Sequence, residues 1–370
     1  MASPPPPRRL DINPPLLNSA NPWATTLEDL TALYECPYTG AVTTRTSLLM
    51  GFPHDPAKHQ YSFFDPGTNV PAGLVSTTTS GESDAAMAAA TATASLNNLG
   101  YSPVPLDRYL EFIETIVRER SGRVGGEGEG GRGMGKKGFI VSVTGPPSHV
   151  ANCYARIAKA QERIGTAAWL AMEVNLSCPN IEGAPPPAYA SGALGLYLDA
   201  VGRAVEELGE REVEGVGAVG VPWGVKTPPY THAGQFDMFV SGLLAAAEKR
   251  GGRCSVGFVT AVNTLGSCLV LDSQGGEGVK PRLAGTGIGG MAGAPLHPLA
   301  LGNVRTLRQM LDALPETRHV QIIGVGGVGD ADGYRRMRSV GAAFVGVGTA
   351  LGRKGVGVFE EIEKGLGGKW

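Results

Sequence analysis

The 370-residue chain has no excess of charge of either sign, since 32 Lys and Arg against 34 Asp and Glu leave a formal net charge of -2. It therefore offers no basic footprint for nucleic acid, and no polybasic run adjoins an apolar helix to suit a membrane surface. Cysteine is scarce: Cys36, Cys153, Cys178, Cys254 and Cys268 are scattered, with no CxxC pair. Such spacing supports neither a disulfide framework nor a zinc site, and the six histidines show no ligand pattern such as HExxH, so no metal is expected. Reduced thiols fit a cytoplasmic setting. No run is long and apolar enough to span a bilayer. The Pro-rich start, Met1 to Leu10, has no apolar signal-peptide core, and residues 1–12 are expected to form a disordered tail.

What the chain has is a 42% hydrophobic content, enough for a large core, together with 55 glycines and 27 prolines that imply many tight turns. Short apolar, β-branched runs alternate with helical segments, the pattern of βα units around a parallel sheet. Eight such runs are Pro15 to Ser19, Gly40 to Thr44, Phe139 to Thr144, Ala171 to Asn175, Trp223 to Thr227, Phe258 to Asn263, Val320 to Gly324 and Ala343 to Val347. Eight is the number a closed (β/α)8 TIM barrel requires. Between them, Thr26 can cap a helix carrying Leu27, Leu30 and Leu33 on one face, and Pro105 can open another through Tyr109 and Ile113. A helix beginning near Ser148 places Cys153 on its buried stripe. Cys254 and Cys268 are also expected to pack in the core.

Three stretches depart from a compact barrel: about 51–94, 121–138 and 206–219, which are His/Pro/Thr/Ala-rich or dominated by glycine. They read as low-complexity surface insertions in one domain over 13–370.

The chemistry concentrates at strand ends. Asn175-Leu176-Ser177-Cys178-Pro179-Asn180 closes the fourth run with a thiol between side-chain amides, a candidate proton-transfer group whose alternative is an inert buried cysteine. Lys226 ends the fifth run. Gly324-Val325-Gly326-Gly327 and Gly346-Val347-Gly348-Thr349 follow the seventh and eighth, where barrel loops commonly cradle a phosphate on backbone N–H groups. A third cluster, Gly285 to Gly290, does not join a strand to a helix and fails as a dinucleotide fingerprint.

Taken in order, these motifs, with Val262-Asn263-Thr264 and Gly287-Ile288-Gly289-Gly290, resemble the class 1A dihydroorotate dehydrogenases, the fumarate-using branch. The resemblance spans about Asn13 to Ile362. It implies FMN at the barrel rim, with the phosphate on Gly326, Gly327, Gly348 and Thr349, and Ser19, Ala20, Arg45, Thr46, Asn175, Val259 and Gly287 along the rest of the cofactor. It also implies Cys178 as catalytic base and Lys226 as the cation beside the flavin. Arg45, Asn97, Leu99, Gly100, Tyr101, Asn175, Asn180, Thr260 and Ala261 would meet the substrate. Dihydroorotate would lose a proton from C5 and a hydride from C6 to become orotate, a step of pyrimidine biosynthesis, in a homodimer with fumarate as second substrate. The membrane-bound class of the family has serine where Cys178 stands.

Departures from the family pattern are expected at Arg45 in place of a lysine, at Tyr101 in place of a smaller apolar residue, and at Thr260-Ala261 in place of an Asn-Ser pair after the sixth strand. They leave open a paralog acting on another dihydropyrimidine or enone. The insertions leave open a catalytically silent flavin-binding protein.

Overall fold

The computed structural model describes residues 9–76, 91–123, 136–177, 186–209, 212–213, 217–218, 220–272 and 279–370. Strands β1 (Leu16–Asn18), β2 (Ala41–Thr43), β3 (Gly138–Val143), β4 (Leu170–Asn175), β5 (Trp223–Thr227), β6 (Phe258–Ala261), β7 (Gln321–Val325) and β8 (Phe344–Val347) close into a parallel barrel. They pair in chain order, and β8 returns to β1 through Leu16 opposite Val345. Helices cover the barrel: α1 (Leu27–Glu35), α2 (Leu106–Arg123), α3 (Pro147–Ile164), α4 (Ser191–Gly209), α5 (Ala233–Glu248), α6 (His297–Asp312), α7 (Ala331–Ser339), α8 (Thr349–Lys354) and α9 (Gly357–Leu366). All eight expected strands form, with ends shifted by a residue or two. Thr26 caps α1 by a reciprocal box with Asp29.

Alternation along the strands sorts the core into two parts. Outward residues such as Val225, Val259 and Val345 join the helices in one apolar cluster, which also buries Cys153 and Cys254. Inward residues Leu17, Ala41, Ile140, Ala171, Phe258, Ile323 and Phe344 fill the lower barrel. Two expectations change here. The last residues of the tail expected over 1–12 are packed: Leu10 and Ile12 are buried beneath the barrel and Gln321 clamps Leu10, accepting from its N–H at 2.8 Å and donating to its carbonyl at 3.2 Å. Residues 1–8 lie outside the described set.

The second change concerns the insertion expected over 51–94. Gln60–Phe64 and Pro71–Ser76 join Ala94–Asn97, Gly289–Gly293 and Leu265–Cys268 in a five-stranded antiparallel sheet. The sheet has its own apolar face, Phe64, Ala94, Leu96, Val270 and Leu283, against which the half-buried Cys268 and Met291 pack. This segment is a wall beside the rim, built by pairing with residues two hundred positions away. Composition cannot reveal such pairing. Residues 77–90 and 124–135 lie outside the described set; of the insertion expected over 206–219, the first residues extend α4.

Lys137 shows how the barrel and its helices are joined. Its buried ammonium donates to the carbonyls of Leu33 and Cys36 and to Thr39 Oγ1, satisfying carbonyls at the end of α1 that no helical N–H reaches. Replacement Lys137→Met would remove these donors and leave Thr39 alone to serve both buried carbonyls. The expected loss is roughly 2 to 4 kcal/mol in urea unfolding, and a change below about 0.5 kcal/mol would contradict this role.

Candidate active site

A cavity of about 420 Å³ opens at the C-terminal ends of the strands. Its floor comes from strand ends, Arg45 and Thr46 after β2, Asn175 on β4 and Lys226 on β5. Ser95, Asn97 and Leu99 from the antiparallel sheet and the loop after it make one wall, with Gly100 and Tyr101 beyond them. Another wall is the loop after β7 and the start of α8, including Gly326, Gly327, Gly348 and Thr349, with Ser19 and Ala20 after β1. Ser95 Oγ and Thr349 Oγ1 lie 2.9 Å apart and tie sheet to helix.

The glycine turn after β7 is shaped by its neighbours. Gly327 has φ +70°, and a Cβ there would lie 2.6 Å from His297 Cβ and 2.8 Å from the Gly293 carbonyl oxygen. No other residue fits that position without shifting α6. His297 holds the turn from behind. Arg336 Nε donates to His297 Nε2 at 3.1 Å, so the ring proton sits on Nδ1 and is donated to the Gly326 carbonyl at 2.7 Å.

Two buried cations face the cavity from the strand ends. Lys226 is 4% exposed and makes no hydrogen bond or ion pair among the described residues, so its charge is available to a bound anion. Arg45 is also buried, and its Nη2 is held by the carbonyls of Gly100 and Tyr101 at 3.4 and 3.3 Å. Nearby, His54 has a pKa below the usual imidazole range, because burial disfavours its charge and Arg45 repels it.

Several expected site residues stand elsewhere. Val259 faces outward into the helix layer and Ala261 packs there too. Thr260 faces inward but below the cavity floor, donating to Glu173 Oε2 at 2.6 Å. Gly287 faces Pro281 and Leu269 and is not on the cavity wall. These positions correct the roles expected for Val259, Gly287, Thr260 and Ala261. The residues that do reach the cavity after β6 are Val262, Asn263 and Thr264, with Asn263 Nδ2 donating to Asn175 Oδ1 and Ser177 Oγ at 3.2 and 2.9 Å. Asn263 and Thr264 supply the amide and hydroxyl expected to be missing at Thr260-Ala261, three positions further on. The motif Val262-Asn263-Thr264 is the sequence signal for them. Arg353 and Lys354 at the end of α8 also line the cavity, and no motif points to them. Cys178 and Asn180 lie outside the described residues, which end one position before, at the buried Ser177.

A parallel (β/α)8 barrel with a pocket at its C-terminal rim has the form of the TIM-barrel enzymes, in which the loops after the last two strands frequently carry a phosphate site. The family model for dihydroorotate dehydrogenase matches residues 75–369. The chain belongs to the dihydroorotate dehydrogenase family. Among curated relatives, "Dihydroorotate dehydrogenase (fumarate)" of Trypanosoma cruzi is 31% identical over 276 residues, covering 74% of this chain and 72% of that protein. "Dihydroorotate dehydrogenase A (fumarate)" of Lactococcus lactis subsp. lactis is 29% identical, covering 74% and 72%. A DHODH of Eimeria tenella, solved in complex with ferulenol, superposes with a TM-score of 0.61 at 18% identity over 95% of this chain and 80% of its own. That structural likeness supports the fold.

If the turn after β7 must approach an anion through its backbone, Gly327→Val will fail to retain a phosphate-bearing ligand. The expected outcome is a folded protein by circular dichroism with flavin content reduced at least about tenfold, and full flavin content would contradict the assignment.

Proposed function

We propose that this chain oxidises (S)-dihydroorotate to orotate, with FMN as its cofactor and fumarate as the final acceptor, reduced to succinate. The observation that carries the proposal is the convergence in one cavity of a buried Lys226 with no partner among the described residues, the amides Asn97, Asn175 and Asn263, and the glycine turns at Gly326, Gly327 and Gly348. The fit to FMN rests on two features. A turn with no room for a Cβ at Gly327 suits close backbone approach to a phosphate, and a buried ammonium suits an electron-rich ring edge. When bound, the flavin supplies the hydride acceptor for C6.

The protein's own groups do the rest. Cys178, the residue after Ser177 in the chain, acts as the base that takes the C5 proton. Lys226 stabilises negative charge developing on the ring. Asn97, Asn175, Asn180 and Asn263 hold the pyrimidine edges, and Arg45, fixed by the carbonyls of Gly100 and Tyr101, offers a planar fork to the substrate carboxylate. Because Asn263 and Thr264 supply the amide and hydroxyl after β6, dihydroorotate is favoured over a different enone. Assembly as a homodimer in the cytoplasm belongs to the same proposal. Among the described residues no helix is long and apolar enough to cross a membrane.

The purified protein is expected to be yellow, and anaerobic dihydroorotate should bleach its flavin, with orotate as the product by chromatography. A flavin left oxidised would reject the substrate. Cys178→Ser should slow that reduction by about 10² to 10⁴-fold with flavin content unchanged. Since the thiolate is the active form, the wild-type reduction rate should climb with pH and level off above the thiol pKa, about 8.5 if unperturbed. A rate independent of pH between about 6 and 9 would remove Cys178 from this role. Arg45→Ala should raise KM for dihydroorotate by about tenfold or more while leaving flavin bound, as expected when one charge-assisted hydrogen bond to the substrate is removed.

A further inference from the structure

Below the cavity floor, the inward face of β4 carries Glu173 between Ala171 and Asn175. Its side chain is buried, where a carboxylate persists only if donors surround it. Ser142 Oγ donates to Oε1 at 2.8 Å and Thr260 Oγ1 to Oε2 at 2.6 Å. Both hydroxyls give their protons to the carboxylate, and that fixes the direction of the bonds beyond them.

That direction can be followed to the pocket. Ser142 gives its single proton to Glu173 and must therefore be the acceptor in its 2.9 Å contact with Thr46 Oγ1. Thr46, its proton so committed, accepts from Asn175 Nδ2 at 3.0 Å. With its nitrogen turned to Thr46, Asn175 presents Oδ1 on the other side. There Oδ1 accepts from Ser177 N at 3.2 Å, from Ser177 Oγ at 3.0 Å and from Asn263 Nδ2 at 3.2 Å. The Asn263 amide is in turn fixed at its other end, Oδ1 accepting from Thr264 N at 2.8 Å. Reversing Asn175 would set its NH2 against the Ser177 backbone N–H and the NH2 of Asn263.

We propose that Glu173 is a positioning residue for ligand recognition: through Ser142 and Thr46 it reinforces, from the Nδ2 side, the facing of the Asn175 and Asn263 amides that the backbone N–H groups of Ser177 and Thr264 hold from the Oδ1 side, and so which edge of a cyclic imide, alternating N–H and C=O, the pocket accepts. Glu173 touches no ligand, and its action is transmitted along the chain of hydroxyls. A glutamine at this position could turn either its oxygen or its NH2 toward Ser142, and the second choice turns the Ser142 proton toward Thr46 and loosens the order at that end of the chain. One carboxylate removes that ambiguity.

The inference rests on the dihydroorotate reading only for the identity of the ligand. The test is a double-mutant cycle between Glu173→Gln and Thr46→Val in the FMN-loaded protein, two residues that communicate through Ser142. Orotate is titrated and followed by flavin absorbance. Glu173→Gln alone should weaken orotate about tenfold or more with flavin content unchanged, whereas in the Thr46→Val background, where the relay is already cut, it should change affinity less than about twofold. Equal losses in both backgrounds would mean that Glu173 acts by its charge or by general packing and would overturn the relay, as would an unchanged affinity in Glu173→Gln. A wild-type protein that holds FMN yet does not respond to orotate rejects the substrate reading instead. The same cycle in urea unfolding then decides the relay: coupling between the two substitutions supports it, and additivity overturns it.

Discussion

Closing short parallel strands into a ring sends alternate side chains into a space that water does not reach, and the site depends on how that space is layered. The lower layer is apolar, with Leu17, Ile140, Phe258, Ile323 and Phe344 filling it and Leu10 and Ile12 sealing its end. One step higher on the same strands the inward residues turn polar: Ser142, Glu173 and Thr260. A third step reaches Thr46, Asn175 and Lys226 at the cavity. Each polar group in the middle layer is tolerable because its neighbour in the ring satisfies it, and the resulting order carries upward into the floor of the pocket.

The barrel alone would leave that floor open to solvent. Enclosure comes from the antiparallel sheet, whose strands are drawn from residues 60–76, 94–97, 265–268 and 289–293, and from the short helix α8 bonded to it through Ser95 and Thr349. Desolvation by these walls gives Lys226 and Arg45 their leverage, since a charge in a low-dielectric pocket interacts more strongly than one in water. Arg45 illustrates the interdependence. Its guanidinium is oriented by carbonyls of Gly100 and Tyr101, residues that follow directly from a sheet strand.

How much is legible in the chain follows from the range of the forces involved. The eight barrel strands can be read because each is a local apolar run ended by polar or glycine residues, and the glycine turns because their conformation is a property of the residue. The site residues on strand ends are legible in the same way, as Lys226 and Asn175 show. Past β6 the family resemblance is read three positions early, at Thr260-Ala261, for a place that Asn263-Thr264 occupies. The motif Val262-Asn263-Thr264 carries the signal, but the period of two along a strand does not tell which of these residues turns into the pocket. The sheet walling the site resembles loose insertion in sequence, since its pairing joins segments with little in common but their register.

What the sequence by itself determined was the architecture and the chemical inventory: a parallel barrel, a thiol, a lysine, amides and glycine turns at the ends of its strands. These follow from local periodicity and from residue chemistry, which act over a few positions. Only the tertiary structure decided which of those groups face the same cavity, that Val259 and Gly287 do not, and that a buried glutamate lies two hydroxyls away from the amides of the floor. The reason is physical: direction and burial belong to the closed ring, and each side chain acquires them only from neighbours on strands distant in the chain.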